Sequence, residues 1–103
     1  MISISDACTK VFIKSGIKKF KGIFLMCDSK DNLYYVFSEN GFSDDFTNNG
    51  EGLHVLSIKT GAYEKMTKEK YNNDFKENFF ILAETEIPYD FAYRNENSQI
   101  KFN

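Results

Sequence analysis

The stretch from Phe20 to Ser38 constrains this chain more than any other. Two apolar runs, Ile23 to Cys27 and Leu33 to Phe37, flank a single polar break, Asp28-Ser-Lys-Asp-Asn32. β-Branched, aromatic and long aliphatic side chains on either side of a run of turn formers predict a β-hairpin. A lone hairpin does not recover its ordering entropy in water, so further strands or a helix must lie on its apolar face.

The rest of the chain offers both. Apolar residues at Ile4, Ala7, Cys8, Val11 and Phe12 recur at the spacing of one helix face, with Ser5 or Asp6 placed to cap it and Gly16 to end it. β-Branched Thr9, Val11 and Ile13 keep a strand open as the alternative over this segment. Leu53 to Lys59 has the character of a strand, and Thr60-Gly61 reads as a two-residue turn into Ala62 to Lys65. Thr67 follows as an N-cap, with Met66 and Tyr71 in the positions of a hydrophobic staple. Tyr71, Phe75 and Phe79 then fall at i, i+4 and i+8, predicting a helix from Lys68 to about Asn78 with an aromatic stripe on the core. Phe80 to Glu86 reads as a strand that Pro88 stops, and Tyr89, Phe91 and Tyr93 alternate with polar residues as another. The expected fold is α+β, a single domain spanning residues 1–103. It has a mainly antiparallel sheet of five to six strands with one or two packed helices.

Composition narrows function mostly by exclusion. A net charge of −2 with one arginine, Arg94, argues against a nucleic-acid partner, whose phosphates call for clustered Lys and Arg. No run approaches the ~20 apolar residues of a membrane span, and Met1 to Asp6 lacks a secretory pattern. A cytoplasmic location is therefore expected, with Cys8 and Cys27 as reduced thiols. Eleven Phe and six Tyr without Trp give a ring-dominated core, and the abundance of Phe, Tyr, Ile, Asn and Lys points to AT-rich coding DNA. That coding suits an AT-rich bacterial genome or a mobile element.

Motifs for chemistry are sparse. His54 is the only histidine, which disfavours a metal centre and leaves one candidate general base, on a strand face shared with Leu56 and Ile58. Asp45, Thr47, Asn49 and Gly50 imitate the start of a calcium loop, but its twelfth position is Leu56 where a bidentate Glu is needed. Phosphate-binding glycine motifs and C-x-x-C are absent from the sequence, so no cofactor is expected.

The distinctive segment is Glu39 to Gly52, with three glycines, three asparagines and no aliphatic residue, which predicts a loop. From Asp31 to Ser57 the chain carries five acids and no Lys or Arg, whereas its first 30 residues hold six lysines against Asp6 and Asp28. Phe42 and Phe46 bracket Asp44 and Asp45, so rings and negative charge are offered together. Such a surface suits docking on a basic partner, charge steering the encounter and desolvated rings holding the complex. The alternative is that both rings fold under the segment as a satellite cluster while the acids solvate it.

In general character, and on this segment alone, the chain resembles the immunity proteins of bacterial toxin–immunity pairs, those of contact-dependent growth inhibition in particular. The resemblance implies a non-enzymatic inhibitor of a cognate toxin domain, often a basic nuclease. It implies a partner-binding set of Glu39, Phe42, Asp44, Asp45, Phe46 and Glu51. Two other functions fit the sequence: a phage or mobile-element protein that modulates a host factor, and a small-molecule binder or enzyme centred on His54.

Overall fold

The computed structural model describes residues 2–85, and within them the chain forms an α+β fold. Helix α1 (Ile4–Ser15) leads into the hairpin of β1 (Gly22–Asp28) and β2 (Leu33–Ser38). Helix α2 (Phe42–Thr47), β3 (Leu53–Ser57) and β4 (Tyr63–Lys65) follow. A third helix, α3, spans residues 68–78 and delivers the chain to β5 (Phe79–Thr85). All pairings are antiparallel in the order β4-β3-β2-β1-β5, so the hairpin expected over Phe20 to Ser38 is present and lies inside the sheet, with β3 and β5 on either side of it.

The two-residue period of the strands divides the core in two. Ile23, Phe37 and Leu56 point to one face, where Ala7, Cys8 and Val11 of α1 cover them. Phe24, Met26, Val36 and Val55 point to the other and pack against Met66, Tyr71 and Phe75. Helices on both faces explain why β1 reads as a continuous apolar run rather than an alternating one. Each such fully buried side chain contributes ~1.5–3 kcal/mol over its exposed state.

Sequence and structure differ at several points. Ser3, one position before α1, is its cap, accepting from the Asp6 amide, in place of Ser5 or Asp6. The β3–β4 connection runs over residues 58–62 rather than two residues, with Gly61 at φ 74° near its end. Glu39 to Gly52 is not a plain loop, because it contains α2. The strand expected over Tyr89 to Tyr93 lies outside the described residues.

Helix α3 opens as an α-helix (Lys68–Lys70), passes through a π-helical turn (Tyr71–Phe75) and closes as an α-helix (Lys76–Asn78). Its cap is Thr67, whose hydroxyl accepts from the Lys70 amide. In a regular helix an i, i+4 stripe drifts by about 40° per step, since 3.6 residues make a turn. The i→i+5 bond from Lys76 N–H to Tyr71 O widens one turn and counters that drift. Tyr71, Phe75 and Phe79 thereby stay aligned over the sheet, Phe75 and Phe79 stacking at 4.5 Å.

β5 pairs only with β1 among the described residues. A bulge between Ala83 and Ile81 leaves Leu82 unpaired, and Phe80, Ile81 and Leu82 are exposed.

Candidate functional site

The acidic segment folds around a buried carboxylate. Asp45 lies in α2 and is 1% exposed. Its side chain accepts from Ser38 Oγ at 2.5 Å, the Asn40 amide at 3.1 Å and Asn40 Nδ2 at 2.8 Å. Every donor is neutral, and the carboxylate stitches the end of β2 to the helix after it. The return path depends on two glycines in left-handed conformations. A Cβ on Gly52 (φ 95°) would stand 2.6 Å from Asp45 Oδ1, and one on Gly50 (φ 77°) would stand 2.6 Å from the Tyr71 ring.

Both rings of the segment turn inward. Phe42 packs on Phe24 with centroids 4.6 Å apart and on Phe46 at 5.4 Å. Phe46 meets Tyr71 edge-on at 5.2 Å, and the Tyr71 hydroxyl donates to the Phe46 carbonyl at 2.5 Å. Both remain half-buried, so each ring supports the segment from below and keeps a rim in solvent. Asp44 and Glu51 are exposed, Glu51 accepting from Asn48 Nδ2 at 3.2 Å.

Glu39 belongs to a different cluster. Strand register places His54 opposite Phe37 on β2 and Lys65 on β4. The next residues on the same face are then Glu39, just beyond β2, and Tyr63, in β4. His54 Nε2 lies 2.5 Å from Glu39 Oε2, and Nδ1 lies 2.7 Å from the Tyr63 hydroxyl. A carboxylate can only accept, so Nε2–H donates to Glu39, while Nδ1 shares a hydrogen bond with the Tyr63 hydroxyl. Phe20 packs edge-on against the imidazole at 5.3 Å and Tyr63 stacks on it. Burial, then the charge of Glu39, raise the Tyr63 hydroxyl above its ordinary pKa. His54 is 1% exposed with both ring nitrogens committed. Its arrangement does the work of a buried polar crosslink between β2, β3 and β4.

No family model, curated protein or solved structure matches this chain.

Of the six residues singled out for partner binding, the fold thus gathers five around α2 and places the sixth, Glu39, against His54. Asp45 is interior, Phe42 and Phe46 are half-interior, and Asp44 and Glu51 face solvent. The residues that sequence reasoning missed are Ser38, Asn40 and Tyr63, each a short-range partner of a buried polar group. Among the described residues no group of three His, Cys, Asp or Glu side chains is placed to hold a metal ion, and no helix is long and apolar enough to cross a membrane. Cys8 is buried, which pushes its thiol up to about 12, whereas Cys27 is half-buried, and both are free.

Proposed function

We propose that this chain is a small binding protein of the immunity type, which neutralises a basic protein partner by docking the α2 segment on it. The observation that carries the reading is the Asp45 anchor. A segment with no aliphatic residue is nonetheless held in one conformation, and a surface already ordered loses little conformational entropy when it binds. On that frame Asp44 and Glu51 are the charges that would meet partner Lys or Arg, and the exposed rims of Phe42 and Phe46 would be desolvated beside them. Asp45 and Glu39 act indirectly, by shaping the segment rather than by touching the partner.

The test is capture of partner from the native host by the tagged full chain, compared with the double variant Asp44→Lys, Glu51→Lys. The reading expects one stoichiometric basic partner that is released as salt rises, because the contact is between exposed charges. The double variant should lose it while retaining the wild-type circular dichroism spectrum. Equal capture by both proteins would remove α2 from the contact. A captured toxin domain and a captured host enzyme would separate the immunity reading from that of a phage modulator.

A further inference from the structure

At the end of the sheet away from α2 lies a cavity of about 590 Å³, within the ~300–1,000 Å³ range of small-ligand pockets. The β1–β2 turn, the start of β4 and one side of α3, from Lys70 to Asn78, border it, and it is open to solvent. Its wall is the ring pair of Tyr34 and Phe79, with centroids 4.9 Å apart, and Val55 contributes an aliphatic surface.

The charges around that apolar wall are unbalanced. Three carboxylates line the cavity, those of Asp28, Glu64 and Asp74, against the two ammonium groups of Lys30 and Lys70. Lys70 pairs with Glu64. Asp28 and Asp74 are held by neutral donors. The Asp28 carboxylate accepts from the amides of Lys30 and Asn32, from Asn32 Nδ2 and from the Tyr34 hydroxyl. Asp74 accepts from Asn78 Nδ2 at 2.7 Å through one oxygen. Tyr34 registers the resulting field. Its hydroxyl is pushed up to about 12 by burial first, then by its bond to Asp28 and by the charges of Asp28, Asp74 and Glu64. With Glu64 paired to Lys70, Asp28 and Asp74 stand against Lys30 alone, and a concave, partly apolar site with that negative excess favours ligands of the opposite charge.

We propose that this cavity binds a small organic cation with an apolar body, an alkyl amine or diamine. An ammonium group would sit between Asp74 and the Asp28–Tyr34 pair, and the methylenes would lie on the rings of Tyr34 and Phe79. The site is separate from α2, so the two readings stand or fall independently.

The probe is 1,4-diaminobutane, titrated into the ¹⁵N-labelled full chain by NMR at constant ionic strength. The proposal expects saturable shifts confined to amides around Tyr34, Ser57 and residues 74–79. Asp74→Asn, a change on the surface of α3, should weaken binding by about ten-fold, the loss of one charge-assisted contact. Asp44→Asn, at the other end of the molecule, should leave binding unchanged. The proposal is overturned by shifts that do not saturate, by equal shifts from sodium chloride, or by an Asp74→Asn protein that binds like the wild type.

Discussion

Replacing Asp45 with alanine tests the mechanical core of this account, because it removes one acceptor and leaves its donors in place. Asn40 is exposed, and its two donors can turn to water, so their lost bonds cost about 1 kcal/mol each. Ser38 is fully buried, and its hydroxyl is left without its acceptor at a cost of about 1–3 kcal/mol. The expected total is about 3–5 kcal/mol, a large fraction of the ~5–15 kcal/mol that a domain of this size possesses. Urea unfolding followed by far-ultraviolet circular dichroism should show the midpoint falling with the slope unchanged. Adding Ser38→Ala to that variant removes the stranded donor and should recover about 1 kcal/mol, since deleting both partners of a buried bond is milder than deleting one. A loss below about 1 kcal/mol for Asp45→Ala, or no recovery in the double variant, would refute the view that Asp45 organises the segment.

Other consequences are sharp enough to measure. Gly50→Ala forces a Cβ to 2.7 Å from Met66 Cγ as well as against Tyr71, at a positive φ, and should cost about 2–4 kcal/mol in the same unfolding assay. Cys8 should resist alkylation in the native protein and react only as the chain unfolds, whereas half-buried Cys27 should be modified first, which peptide mass mapping will resolve. Burial pushes the Asp28 carboxyl up, but hydrogen bonds from Asn32, Tyr34 and Lys30 outweigh it and bring it from 3.8 to about 2. Because the folded value lies below the unfolded one, its stabilisation is complete above about pH 4 and disappears as pH falls towards 2. The difference in Tm between wild type and Asp28→Asn should therefore shrink over that interval.

Patterns of period two and period 3.6 made most of the fold legible. The central hairpin, α1, the Thr67 cap and the aromatic stripe of α3 all follow from them, because burial of one face is a strong and repeated signal. Even the π-helical turn rests on a visible feature, a stripe spaced by four where a regular helix drifts. α2 was not legible, since its six residues carry no aliphatic side chain and its stability comes from Asp45 and from rings shared with β1 and α3. A single acid that becomes interior leaves no period in the sequence. Ser38 and Asn40 upstream of it, and Gly50 and Gly52 downstream, are the only trace, and they resemble ordinary turn chemistry. The Glu39–His54–Tyr63 cluster needs strand register, which local patterns do not supply. Once Phe37 on β2 and Lys65 on β4 are known to face His54, alternation alone puts Glu39 and Tyr63 on the imidazole's side of the sheet.

The claim at the centre of this account is that α2 presents a preformed acidic face to a basic partner. Hydrogen exchange on the full chain, free and in complex with the partner captured from its native host, tests it most directly. The account predicts new protection concentrated in residues 42–51, with the amides of β4 and of the 28–32 turn unchanged. Protection that bypasses residues 42–51 and falls instead on α1 or β5 would contradict it.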